Sequence, residues 1–326
     1  MQRILIALLL TIIIILPGCL DQEKSAEQIT IPNLNNAIDI TNAVFTKTDS
    51  TCESYIGEYS AKVTDKSNNN QFESAIIIEM KNNNLSNKCT ITSNGIPNHD
   101  FAINGSFATK TDYVNEIFNV PNSQNVADDV MPLSLQYDNA IFLNGVKLDL
   151  LAAACYGVGP DSLGNEKIGC FNSDIPWRYD PMHPSNNFGE DDNHAHTQPD
   201  GAYHYHGDPR SMYDLTGTIE SGVIGFAADG FPIRGPYIDD NGTIREISSS
   251  YVLKEGERTS QEGEGEFPGG NWDGTFRDDY VWQEGAGDLD SCNGKWENGT
   301  YYYYVTFSFP WVMNCFVGTP DDSFKK

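Results

Sequence analysis

The chain has 326 residues, with 46 acidic and 20 basic side chains and a net charge of −26. That balance argues against a nucleic-acid partner and against docking on an anionic membrane face, since both need a basic surface. It suits an exported protein kept soluble by its charge, and it attracts cations.

In chain order, Arg3 precedes an apolar run, Ile4 to Leu16. The run is as long as a signal-peptide core and too short to span a bilayer comfortably. It ends Leu16-Pro17-Gly18-Cys19. This resembles a bacterial lipoprotein signal, in which the cysteine is lipidated and becomes the mature N-terminus. Leu20 rather than Asp follows, which by resemblance to Gram-negative lipoproteins implies the outer membrane. The expected organisation is a signal peptide over 1–18, a polar tether over 19–28, a β-rich region over 29–89 and a second domain over 90–326. The lipid is the expected membrane attachment, because no other stretch is apolar enough to span.

Six cysteines remain besides Cys19. An even number in an exported chain suggests disulfides. Six cysteines allow fifteen pairings, which the sequence does not choose between; the nearest-neighbour set taken as the expectation is Cys52–Cys89, Cys155–Cys170 and Cys292–Cys315. A Cys-rich zinc site would need Cys-x-x-Cys, which is absent.

Residues 29–94 alternate strand-like runs with Asn- and Ser-rich turns. Tyr55 to Val63 follows period two, and Glu73 to Met80 reads as a more buried strand. Lys66 to Asn70 and Asn82 to Asn84 read as loops. From about Thr90 the texture turns to Gly, Pro and aromatics. Strands are expected over Asp138–Val146, Ala202–His206, Gly222–Ala227 and Tyr301–Phe307, with one short helix over Leu148–Ala154. Residues 255–271 read as an acidic, Gly-rich loop. The predicted class is mainly β, with antiparallel hairpins and short sheets, long Gly/Pro-rich loops stapled by disulfides, and minor helix.

Four of the six histidines fall within Asp191 to His206, as His194-Ala195-His196 and His204-Tyr205-His206. On a strand, positions i and i+2 share a face. Pro199-Asp200-Gly201 between the pairs suits a three-residue hairpin loop with glycine in the left-handed conformation. Centred on Asp200, the hairpin sets Gln198 opposite Ala202, His196 opposite His204 and His194 opposite His206. All four imidazoles then share a face, and Tyr203 and Tyr205 take the other. Opposed Cβ atoms lie about 4.5–5.5 Å apart, and imidazole nitrogens there can meet at one ion with bonds of about 2.0–2.1 Å. Nitrogen donors favour Zn²⁺ or copper over Mg²⁺ or Ca²⁺.

Asp290 to Tyr304 echoes this stretch. With Gly299 aligned on Gly201, Tyr302 and Tyr304 take the places of His204 and His206, and Cys292 and Gly294 those of His194 and His196. A packing copy accepts tyrosine, so the histidines of the first copy ask for a separate reason.

Four stretches carry a family resemblance. They are Ser93-Asn94-Gly95-Ile96-Pro97-Asn98-His99, His196 to His206, Asp229-Gly230-Phe231-Pro232-Ile233-Arg234-Gly235-Pro236, and Leu289 to Gly294 with the tyrosine run and Phe309-Pro310. Over roughly residues 90–320 the chain resembles the YHYH-domain proteins, named for Tyr203-His204-Tyr205-His206. The resemblance implies a shared fold and site, not a reaction. It brings in His99 as a further candidate ligand near the hairpin. In the region of His194 the family more often carries a Cys-x-Gly-His arrangement, and where Arg234 stands it more often has an aromatic residue. His183 lies outside these motifs and reads as a loop residue.

The candidate metal ligands are therefore His196, His204, His206, His99 and His194. Three imidazoles leave a coordination position open for catalysis, and four close the site. Asp192, Asp229 and Glu190 are the carboxylates available as base or orienting group, although Asp229-Gly230 also reads as a turn. Three readings stay open at this point. One is an exported metal-binding protein, and a second is a metal-dependent hydrolase or oxidoreductase acting on an extracellular substrate. The third is a carbohydrate- or protein-binding surface using Trp272, Trp282, Trp296 and the tyrosine run.

Overall fold

A computed structural model describes residues 34, 36–83, 86–158, 169–262 and 266–326, all within one compact unit, Ile31–Lys326. The expected signal peptide, Cys19 and tether lie outside the described residues. The protein is mainly β, and among the described residues the helices are single 3-10 turns. Among the described residues, no helix is long and apolar enough to cross a membrane.

The first sheet is built from the alternating runs of the N-terminal region. Gly57–Asp65, Asn70–Asn83, Ser86–Ser93 and Glu116–Pro121 form an antiparallel meander, and Ile38–Asp39 adds a parallel edge. Asn69 makes its first turn with φ 62°, a conformation that Asn tolerates. The boundary expected at 89/90 falls inside the strand Ser86–Ser93. The three disulfides pair as expected: Cys52–Cys89, Cys155–Cys170 and Cys292–Cys315.

The second sheet has eight strands. From edge to edge they are Gly294–Glu297, Thr300–Tyr304, Pro232–Arg234, Val223–Ala227, Ala140–Phe142, Lys147–Leu148, Tyr203–Tyr205 and Ala195–Thr197. The expected strand Asp138–Val146 is shorter, because Asn144-Gly145 turns the chain with Gly145 at φ 78°. The expected helix Leu148–Ala154 does not form. Lys147–Leu148 is a strand, and Val146-Lys147-Leu148-Asp149-Leu150 follows the period of two, not that of a helix. Ile76, Ile78 and Ile91 of the first sheet and Ile141, Phe226, Tyr205 and Tyr303 of the second belong to one hydrophobic core.

The second sheet is a pseudo-two-fold duplication. Each half is a tight hairpin followed by a second hairpin whose inner strand lies parallel to it. The halves meet where Ala140–Phe142 pairs antiparallel with Val223–Ala227. Their turn bonds repeat: Phe142 N–H to Val146 O (3.0 Å) matches Ala227 N–H to Phe231 O (2.9 Å). Across the junction, Leu143 N–H to Ile224 O (2.8 Å) matches Ala228 N–H to Asn139 O (2.9 Å). On these matches Asn144 corresponds to Asp229 and Asp149 to Arg234, and on the parallel strands His204 corresponds to Tyr302 and His206 to Tyr304.

The expected match on the outer strands shifts by one residue. The second hairpin closes with two residues, Asn298 (φ 50°) and Gly299 (φ 86°), where the first uses three. Lys295 therefore pairs with Tyr302 as His196 pairs with His204, and Asn293 (φ 66°) takes the place of His194 (φ 58°).

Candidate metal centre

The histidine hairpin folds in the expected register. His204 lies opposite His196, Gln198 N–H donates to Ala202 O at 2.9 Å, and His206 N–H donates to His194 O at 2.8 Å. Gly201 closes the turn at φ 89°, and a Cβ there would lie 2.9 Å from Asp112 Cβ. Asp200 caps the loop by accepting Ala202 N–H at 3.0 Å.

Three imidazoles converge on the core-distal face. His206 Nε2 lies 3.0 Å from His204 Nε2 and 3.0 Å from His196 Nε2. All three residues are buried. His196 Nδ1 faces the Phe188 carbonyl at 2.7 Å and His204 Nδ1 the Ala202 carbonyl at 3.3 Å. A carbonyl only accepts, so it holds the proton on Nδ1 and leaves Nε2 as a bare lone pair, the tautomer of a metal ligand.

His206 Nε2 has one bonding position, either a proton or a lone pair. It can hydrogen-bond one neighbour and not both, so at least one 3.0 Å contact has no proton in it. A cation inside the triangle turns all three lone pairs into donors. Bonds of about 2.0–2.1 Å in tetrahedral geometry set ligand nitrogens about 3.3 Å apart, close to the spacing here. Burial, and then the neighbouring imidazoles, push the pKa values of His204 and His206 well below the ordinary range, so both are neutral as ligands must be. The residues fit a borderline transition-metal ion, and the three buried histidines can hold one.

The triad opens into a cavity of about 410 Å³. Leu135, Leu151, Phe171 and Phe188 supply apolar wall, and Asp149, Gln198 and Lys326 supply polar groups. Asp149 lies beside His206 through the parallel pairing, its N–H donating to Tyr205 O at 2.9 Å. Its Oδ2 holds Lys326 Nζ and accepts Gln198 Nε2 at 3.3 Å, while its buried Oδ1 has no partner. The mutually close donor set is the three histidines and does not extend to Asp149. Lys147, opposite His204, pairs with Glu116 at 2.9 Å and lies 3.7 Å from Asp138. Burial raises the Asp138 pKa to about 6 against the pull of Lys147 and Lys326.

The structure does not bring the other expected site residues to this cluster. His194 has φ 58°, which turns its side chain off the shared face and onto Asp208, where Nδ1 pairs with the carboxylate. Burial disfavours the charged ring, but Asp208 outweighs it and raises the His194 pKa. His99 lies against the tyrosine face of the hairpin. Asn144 Nδ2 donates to Tyr205 Oη at 2.9 Å, Tyr205 O–H to His99 Nε2 at 2.7 Å, and His99 Nδ1–H to Asp100 O at 2.8 Å. Burial lowers the His99 pKa to about 4. His183 is the loop residue expected, with Nδ1 2.8 Å from Ser185 Oγ.

Asp192 is exposed and accepts Asn104 Nδ2 at 3.0 Å. Asp229 sits in the counterpart half, accepting Tyr303 O–H at 2.7 Å and Gly318 N–H at 3.0 Å. Burial raises its pKa to about 6. Neither residue lines the cavity, nor does Glu190. Of the aromatics considered for a binding surface, Tyr301, Tyr303 and Tyr304 are buried, while Trp296 is 58% exposed.

Asp149, Lys147, Gln198 and Lys326 were missed. For the first two a signal existed: Lys147 and Asp149 alternate with Val146, Leu148 and Leu150. Gln198 and Lys326 carried none, because they reach the cavity from a turn and from the far end of the chain.

No curated protein and no solved structure matches the chain. The family model described as YHYH protein matches residues 117–318, which hold the duplicated sheet and the triad but not His99. The chain belongs to the YHYH protein family.

Proposed function

We propose that this is an exported, lipid-anchored protein that binds a transition-metal ion, Zn²⁺ or copper, through Nε2 of His196, His204 and His206. The observation that carries the reading is the His206 Nε2 atom, 3.0 Å from two other Nε2 atoms and able to hydrogen-bond only one. His99 and His194 stay outside the ligand set. Elemental analysis of untagged protein exported to the periplasm tests it, with about one metal ion per chain expected. The double variant His204→Tyr/His206→Tyr imitates Tyr302 and Tyr304; it should fold and take up none. Stoichiometric metal in the folded double variant refutes the assignment.

The anchor rests on Cys19 after the apolar run, and Leu20 favours the outer membrane. Cys19→Ser should release the protein to the soluble fraction and abolish labelling by radioactive fatty acid.

A second reading, a metal-dependent hydrolase or oxidoreductase, is favoured by the cavity. His196, His204 and His206 would hold the ion with a coordination position free, and it would supply Lewis-acid chemistry to a substrate or water oxygen. Asp149 lines the cavity, and its buried Oδ1 has no hydrogen-bond partner among the described residues, which makes this carboxylate the candidate base. Gln198 and Lys326 hold the other oxygen and so orient the carboxylate. Asp149→Asn should leave metal content unchanged and cut turnover of any cavity-sized substrate by about 10²-fold or more. Equal loss of metal would make Asp149 a support for the ligands instead.

A further inference from the structure

A second cavity, of about 430 Å³, shares Leu151 with the histidine cavity. Arg178, Lys254 and Arg277 line it with one carboxylate, Asp278. The excess of cations runs against a composition of 46 acidic and 20 basic residues.

None of these cations forms an ion pair with a carboxylate among the described residues. Arg178 Nη1 donates to the carbonyls of Ala152 (2.6 Å) and Cys170 (3.0 Å), and Nη2 to the Asn172 carbonyl (2.8 Å) and Cys170 Sγ (3.5 Å), so its four Nη hydrogens are all used. Lys254 Nζ donates to the Asp278 carbonyl at 2.7 Å. Arg277 Nη2 donates to Asn314 Oδ1 at 2.7 Å, and its Nη1 has no partner. The Asp278 carboxylate is taken by Trp177 N–H at 2.7 Å. Arg234, Arg245 and Arg258, by contrast, each hold two carboxylates.

The cost is visible in Arg178, whose pKa falls to about 10 through burial and then repulsion from Arg277. Asp278 offsets part of the charge on both arginines and Asp180 part of that on Arg277, yet neither makes an ion pair with them among the described residues, so an anion in the cavity would still be favoured. Ser173 and Asn314 add polar groups, and one side of the lining is apolar and aromatic. Tyr280 and Phe309 stack at 4.3 Å, and Leu133, Leu151 and Ile175 face the same space.

We propose that this cavity binds a small organic anion, its oxyanion group held by Lys254 and Arg277, with Arg178 adding charge behind them, and its apolar body against the Tyr280–Phe309 stack. The proposal does not rest on the metal site. Bidentate capture of an oxyanion is what guanidinium geometry favours, and the aromatic wall selects a carboxylate with a ring or chain over an inorganic ion.

Isothermal titration of the full chain with benzoate, sulfate, phosphate and chloride at fixed ionic strength tests it. Benzoate should bind saturably and at least tenfold more tightly than sulfate or phosphate. Binding should survive in His204→Tyr/His206→Tyr, which excludes capture by a metal ion. Lys254→Met and Arg277→Gln should each weaken it at least tenfold. If Arg277→Gln does not fold, Lys254→Met decides, because that half-buried lysine holds one carbonyl and lies over the Trp272 ring at 4.5 Å, contacts whose loss leaves the sheets intact. No saturable benzoate binding, affinity no better than for sulfate, or undiminished affinity in folded Lys254→Met overturns the proposal.

Discussion

At the scale of single residues, two kinds of histidine give opposite pH responses. His204 and His206 have pKa values held below the ordinary 6.5, so the folded metal-free protein binds their protons less tightly than the unfolded chain does. Their contribution is present above about 6.5 and is lost as pH falls below it. Thermal unfolding of metal-free protein should show a falling Tm from pH 7 to 5, flattened in His204→Tyr/His206→Tyr. His194 behaves the other way, its pKa raised by Asp208. Its contribution is complete below 6.5 and fades as pH climbs through the higher folded value. His194→Asn imitates Asn293 and keeps a residue that tolerates φ 58°. The variant should bind metal normally, and its stability deficit should shrink between pH 5.5 and 8.5. A loss of metal would place His194 among the ligands after all.

At the scale of elements, the site depends on one turn. Gly201 adopts φ 89° with Asp112 close behind it. Gly201→Ala adds both backbone strain and a clash, and should cost about 1–3 kcal/mol in chemical denaturation. Metal affinity should fall with it, since the turn sets His196 against His204. Gly299→Ala, at a turn with nothing near the new Cβ, is strained by φ alone and should cost less and leave metal content intact. The Cys155–Cys170 bridge anchors the loop whose carbonyls hold Arg178. Removing it should cost about 3 kcal/mol, read by urea unfolding of the double Cys→Ser variant.

At the scale of the whole molecule, the two halves of the duplicated sheet share one core and have separated in chemistry. Tyr205 and Tyr303 keep the same inward role, one bonded to Asn144 and the other to Asp229. On the opposite face, His196, Asp149, His204 and His206 are matched by Lys295, Arg234, Tyr302 and Tyr304. Arg234 is neutralised there by Glu220 and Glu297, which makes that face a salt-bridged support. The halves meet at Ile141 and Phe226, both fully buried. Phe226→Ala should cost about 3–5 kcal/mol and lower metal occupancy along with Tm, although it lies outside the cavity.

The sequence by itself determined the β class and the hairpin with its register; it offered nearest-neighbour disulfides as one of fifteen pairings and five histidines as ligands, and the structure chose among them. The first two follow from local rules: period-two alternation and a Pro-Asp-Gly turn. Only the tertiary structure decided that His194 turns away, because one positive φ is set by the pairing of its neighbours and by Asp208. It likewise placed His99 behind the tyrosines and Asp149 beside His206. Parallel pairing joins strands far apart in the chain, and no spacing within either strand records which partner will lie alongside.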